Sequence, residues 1–223
     1  MSFKAVTLLA CMSVALYAAA PSGDARPRTR DQGLHKMYGQ LVIKGFAGLT
    51  ANDQRVRKVR DAIEQGLLGG VILYQKNIKN PKQVAALTQV FRTADARYTP
   101  IIAVDEEGGA VERLNRRKGF KYTPGHFRMQ QRNTVAQARK RYDSMAKELI
   151  RAGFNTNLGP VVDLRINPNN PVIARNRRSF GLHPLYVARY AQSFVAAHEA
   201  AGIGTALKHW PGHGSSTKDT HWR

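Results

Sequence analysis

A single cysteine, Cys11, stands in the 223 residues, so no disulfide can close within the chain and a small disulfide scaffold is excluded. Acidic residues are scarce as well: 15 Asp plus Glu face 35 Lys plus Arg, for a formal net charge of +20. There is no aromatic-rich RNA-binding signature and no zinc-finger spacing. No apolar run reaches the ~20 residues needed to cross a bilayer. The Gly-rich dinucleotide fingerprint that a doubly wound cofactor domain carries after its first strand is missing too. What is present is 43% hydrophobic and 22% charged residues, with apolar runs spread from end to end. That composition describes one globular domain able to bury a core.

A charge of +20 attracts phosphate, but its distribution matters more than its size. Basic residues recur throughout (Arg55, Arg57, Lys58, Arg60; Arg116, Arg117, Lys118; Arg139, Lys140, Arg141) and fall on what read as solvated helix faces. The expectation is an Arg-rich surface, with an anionic envelope polymer as the alternative and no nucleic-acid partner.

The amino terminus has the three regions of a secretory signal peptide: Lys4, then the apolar run Ala5 to Tyr17, then Ala18, Ala19 and Ala20 before Pro21. A lipoprotein signal at Leu8, Leu9, Ala10, Cys11 would leave an apolar region of only about six residues, short of the usual ~7 to 15. Residues 1–20 are therefore expected to be removed on export, which would take the only cysteine with them and place the chain in a secreted or periplasmic setting. Residues 21–39 read as a polar tether and the start of the domain, and 40–223 as the domain itself.

From Gln40 onward, short apolar runs alternate with amphipathic stretches, the signature of a parallel α/β domain. Strands are predicted at Leu41 to Phe46, Gly70 to Tyr74, Pro100 to Val104, within Asn157 to Val162, and at Gly202 to Leu207. Helices lie between them. Thr50 and Asn52 read as caps for the stripe Val56, Val59, Ile63. Asn80 and Pro81 open the stripe Val84, Leu87, Phe91. After a polar loop, Val135, Ala138, Tyr142, Met145 and Leu149 stripe a helix that Gly153 ends, and a last helix runs from about Leu185 to Ala201. Five strands suit an open sheet or the first five or so units of a (β/α)8 barrel, and length together with the missing dinucleotide fingerprint favours the barrel fragment. A full barrel takes ~250 residues, so the barrel reading implies a truncated one with an open edge after the fifth strand.

Polar groups collect just after the strand ends, the ligand face of such folds. Asp105 abuts the strand IIAV, and Gly108 and Gly109 let backbone approach a ligand closely. Glu106 and Glu107 read equally well as a solvated loop. The fourth strand ends at Asp163 and leads into an Asn/Pro/Arg-rich loop in which Arg178 is a candidate ligand donor, while Arg175 and Arg177 suit the surface. The fifth strand gives the densest cluster, with Lys208, His209, His213, Asp219 and His221 inside 14 residues. His209 and His213 have the i, i+4 spacing of a helical metal pair, but Pro211, Gly212 and Gly214 oppose a helix there, so no metal and no cofactor is expected. Asp219 is placed to orient His221 and raise its pKa, making it a general acid and base.

The segments GVILYQKNI, IIAVDEEGG, LGPVVDL, RSFG and KHWPGHG followed by DTH resemble, in order and spacing, the amino-terminal barrel of family 3 glycoside hydrolases, and most of all the bacterial β-N-acetylhexosaminidases of that family. The resemblance implies retaining hydrolysis of terminal β-linked N-acetylglucosamine, such as occurs in peptidoglycan recycling. It implies sugar binding by Asp105, Arg178, Lys208 and His209, and a catalytic acid/base His221 oriented by Asp219. Two departures accompany it. Ala110 stands where the family's loop has an Arg, and the family's nucleophilic aspartate lies on a loop beyond a later strand than any before Arg223. The chain taken alone is therefore expected to be inactive. A catalytically silent sugar- or wall-binding protein is the rival reading, and phosphate in place of water remains open as the acceptor.

Overall fold

The computed structural model describes residues 29–219. The expected signal peptide and His221 lie outside them. The chain divides into two units, Met1–Leu34 and His35–Arg223. The described part of the first is the opening of helix α1 (Thr29–Gly39), and the fold below belongs to the second. Helix α1 has no apolar stripe to announce it: its Leu34, Met37 and Tyr38 are all exposed. No helix among the described residues is long and apolar enough to cross a membrane.

Five strands form one parallel sheet: β1 (Ile43–Gly45), β2 (Gly70–Leu73), β3 (Ile101–Val104), β4 (Thr156–Asn157) and β5 (Gly204–Thr205). Each pairs with the next in sequence, giving the order β1-β2-β3-β4-β5. A doubly wound sheet would reverse its order at a switch point, whereas strictly sequential pairing is the order of a (β/α)8 barrel. The apolar residues of β2 and β3 are largely buried, as a parallel sheet covered by helices requires. The first strand departs from its expected burial. Only Ile43–Gly45 pairs, and Leu41 is 82% exposed at the sheet edge.

The helices follow their stripes. Helix α2 (Gln54–Glu64) buries Val56, Val59 and Ile63, but its cap is Asp53, whose carboxylate accepts the Arg55 amide, rather than Thr50 or Asn52. Helix α3 (Pro81–Arg92) opens on Asn80 and Pro81 and buries Val84, Leu87 and Phe91, the last meeting Phe46 edge-on at 5.1 Å. Helix α5 (Val135–Arg151) starts with a capping box of Thr134 and Gln137. It packs Tyr142 against Phe194 of α6 (Pro184–Glu199) with ring centroids 4.9 Å apart. The basic clusters of α2 and α5 lie mostly exposed.

The predicted polar loop before α5 contains a further helix, α4 (His126–Arg132), which buries His126 and Met129. Strands β4 and β5 are much shorter than their apolar runs suggest. Asn155 takes over part of the ladder with its side chain, which accepts the Ile102 amide at 2.7 Å and donates to the Pro100 carbonyl at 2.8 Å. Beyond a gap, pairing resumes at a single bridge between Val161 and Lys208.

Candidate active site

Sheet register brings the carboxyl ends of β3, β4 and β5 together, and the charged residues that follow them interlock. Lys208 lies after β5 and reaches across to Asp105 at the end of β3, with Nζ 2.8 Å from Oδ1. The same Nζ lies 2.7 Å from Glu107 Oε1. Glu107 in turn receives Arg178 through two parallel bonds, Nε to Oε2 at 2.9 Å and Nη2 to Oε1 at 2.8 Å. This fork-to-fork geometry fixes the guanidinium plane as well as neutralising it. Arg113 brings Nη2 to 3.9 Å from the other oxygen of Asp105, and its buried Nε has no partner among the described residues. Glu107 is 1% exposed at its side chain, Arg178 12% and Lys208 16%. The network thus has a dry base and a rim open to ligand.

Burial by itself would raise the Glu107 carboxyl, but the Arg178 hydrogen bonds and the charges of Lys208 and Arg178 overcome it and bring the pKa down to about 2. The neighbouring Glu106 has no ion pair, only the weaker attraction of Arg113. Burial pushes it up to about 8, against the pull of the Leu114 and Arg113 amides that its Oε2 accepts. The solvated-loop reading of these two residues is therefore overturned: both are buried, one as the anchor of two cations and the other as the brace of the loop carrying Arg113. Neither a long-range ion pair nor burial is visible in the string DEEGG.

Beside the network, Asp163 holds the loop after β5. Its Oδ2 accepts His209 Nδ1–H at 2.6 Å and the His209 amide at 3.2 Å, and its Oδ1 accepts the His213 amide at 2.6 Å. Burial would raise Asp163, yet these bonds keep it below the usual carboxylate range. An ionised carboxylate only accepts, so His209 Nδ1 is the donor in this pair. A cleft of 410 Å³ opens here, lined in part by Asp163, Leu207, His209 and the 94% exposed Trp210. A larger one, 490 Å³, lies between α5 and α6 and contains none of the sequence-selected residues.

Of those residues, the structure joins Asp105, Arg178 and Lys208 in one network and sets His209 next to Lys208 in the chain, on Asp163. Asp219 is half-buried at the end of the described residues, and His221, with its pairing to Asp219, lies beyond them. Residues 206–219 contain no helix, so His209 and His213 do not form a helical pair. Ala110 is exposed, and Arg113, three residues on, is the guanidinium that approaches Asp105. Sequence reasoning passed over Arg113 and left Glu107 undecided. A second carboxylate two positions past a strand-end Asp was the only signal for Glu107.

Residues 34–223 match the glycosyl hydrolase family 3 N terminal domain. The chain is 38% identical over 161 residues to beta-hexosaminidase A of Pseudoalteromonas piscicida, covering 69% of this chain and 26% of that one. It is 33% identical over 187 residues to a beta-hexosaminidase of Xanthomonas campestris pv. campestris (strain B100), covering 81% and 53%. Among solved structures, a family 3 β-N-acetylglucosaminidase from Paenibacillus sp. str. FPU-7 superposes with a TM-score of 0.74 at 34% identity, covering 84% of this chain and 35% of that one. Native NagZ from Neisseria gonorrhoeae gives 0.70 at 30%, covering 82% and 52%. The chain thus spans between about a quarter and about half of these relatives' length. With the barrel strand order, the strand-end network and a match over residues 34–223, the chain belongs to glycosyl hydrolase family 3, in its N-terminal domain.

Proposed function

We propose that the chain provides the sugar-binding face and the acid/base of a β-N-acetylhexosaminidase, a glycosidase that releases terminal β-linked N-acetylglucosamine with retention. The observation that carries this is the Asp105–Lys208–Glu107–Arg178 network, which gathers donors and acceptors from three successive strand ends onto one rim. A pyranose offers adjacent hydroxyls that both donate and accept. Asp105 is the acceptor on that rim, while Lys208, Arg113 and Arg178 supply donors. His209, held on Asp163 and lining the adjoining cleft, adds a further group from the neighbouring loop.

Bond cleavage on this reading uses His221 to protonate the leaving oxygen and then deprotonate the incoming acceptor, with Asp219 orienting the ring. An imidazole in place of the more common carboxylic acid keeps one negative charge off the leaving-group side. Asp105 and Glu107 are both paired with Lys208, so binding and scaffolding occupy them and the nucleophile is a different carboxylate. The signal peptide of residues 1–20 directs the protein to export, and a secreted or periplasmic glycosidase of this type suits N-acetylglucosamine-containing fragments of peptidoglycan.

Titration calorimetry with N-acetylglucosamine, together with chromophore release from a β-N-acetylglucosaminide, tests the reading. Lys208→Met should lose at least about tenfold in affinity, since one charge-assisted hydrogen bond is worth ~1.5–3 kcal/mol. Binding that ignores Lys208→Met refutes the assignment of the site. Binding without turnover supports the sugar-binding face.

A further inference from the structure

His126, at the start of α4, is buried within electrostatic reach of Glu107, Lys208 and Arg178. Its imidazole is buried, stacked on Phe180 with centroids 4.2 Å apart and planes 3° from parallel, and edge-on to Tyr142 and Phe194. Its Nε2 accepts the Val161 amide at 3.1 Å, while its Nδ1 is buried with no partner among the described residues. Burial outweighs the attraction of Glu107 and holds the ring's pKa down to about 4, so it is neutral in working conditions, with its proton on Nδ1. An orphaned buried N–H is costly. A phenylalanine would keep the stack without that cost, and what it would lack is the acceptor for Val161.

That acceptor sits where the sheet has a gap. After the two-residue strands β4 and β5, the segments carrying Asp163, Lys208 and His209 are joined by the Ala206 amide to the Gly159 carbonyl at 3.1 Å and by the Asp163 carboxylate to His209 and His213; nearest the bridge are two bonds, the Lys208 amide to the Pro160 carbonyl at 3.1 Å and the Val162 amide to the Lys208 carbonyl at 2.7 Å. Val161 lies between those two bonds and faces Lys208 across the bridge. Phe180, stacked on the ring's face, is two residues from Arg178, and the Phe127 amide donates to the Arg177 carbonyl at 3.3 Å.

We infer that His126 is a positioning residue: its ring nitrogen and its stacked face join the Val161 segment to the Arg178 loop, and so set the spacing between Lys208 and Arg178. Its effect on affinity rests on the sugar-site reading above, whereas its effect on the backbone does not.

The test compares wild type, His126→Phe and His126→Gln, with Lys208→Met as the control for the site. Gln places a carbonyl oxygen near the Nε2 position and so restores an acceptor. Amide hydrogen exchange at Val161 and Val162 should speed up by about tenfold in His126→Phe, the worth of one hydrogen bond. Affinity for N-acetylglucosamine should fall by a similar factor, and His126→Gln should recover most of both. Exchange and affinity in His126→Phe equal to wild type would overturn the inference. If Lys208→Met leaves affinity untouched, the sugar-site reading falls and the exchange data alone decide on His126. If His126→Phe does not fold, the wild-type ring decides: nitrogen-15 spectra should show the Nδ1–H tautomer with a through-bond coupling from the Val161 amide to Nε2, and an Nε2–H tautomer would overturn it.

Discussion

Replacing Glu107 by Gln keeps the side chain's shape and deletes one buried negative charge from between two cations. Two routes give the magnitude. The fall of its pKa from 4.5 to about 2 corresponds to about 3 kcal/mol of preferential stabilisation of the charged form. Breaking a buried ion pair by removing one partner costs ~3–5 kcal/mol, because the other charge stays buried. Here two cations lose their shared carboxylate: Lys208 keeps its ion pair with Asp105, and Arg178 keeps only the longer-range attraction of Asp105 and Asp163. For a urea dependence of about 2 kcal/mol per molar, a 3 kcal/mol loss lowers the unfolding midpoint by about 1.5 M at pH 7. The sign in acid follows from the depressed pKa: the contribution is full above about 4.5, the unfolded value, and is lost as pH falls toward about 2. Urea midpoints of wild type and Glu107→Gln should therefore converge between pH 5 and pH 2.5. A midpoint change at pH 7 below about 0.5 M, or a gap that stays constant into acid, would refute the claim that this carboxylate anchors the site.

Glu106 should behave in the opposite sense. Its pKa is raised to about 8, so its contribution is full below about 4.5 and disappears as pH rises through 8, and Glu106→Gln should gain on wild type in alkaline melts. Gly153→Ala should lower the melting temperature, since the residue sits at φ +84° and a Cβ would lie 2.2 Å from Thr88 Oγ1, which is already bonded to the Ala152 carbonyl at 2.7 Å. A loss of about 1–3 kcal/mol is expected from such backbone and steric strain. Intact-mass analysis of exported protein should find a mature chain that begins near Pro21, and Met1 on most molecules would count against the signal peptide.

Sequence alone determined the βα rhythm and the buried stripes of three helices: Val56, Val59 and Ile63 in α2, Val84, Leu87 and Phe91 in α3, and Tyr142, Met145 and Leu149 in α5. These are local signals. A helix must turn its apolar face to the core whatever lies opposite, so spacing within a dozen residues suffices. Asn80 with Pro81 and the positive-φ Gly153 were legible for the same reason, as each acts on its own turn of backbone. The strand-end positions of Asp105, Lys208 and His209 followed once the strands were placed.

Tertiary structure alone decided what those ends do. Just before β4, the Asn155 side chain stands in for ladder bonds to β3, and no strand propensity records that. Lys208 meets Asp105 across 103 residues and His209 meets Asp163 across 46; both pairings follow from the register of parallel strands. The same register buries Glu107 between Arg178 and Lys208 and leaves Glu106 with only backbone donors. Two adjacent glutamates of identical chemistry thus end with pKa values of about 2 and about 8. Composition and spacing hold no such distinction, because the charged state of a carboxylate is set by which distant cations share its dry surroundings.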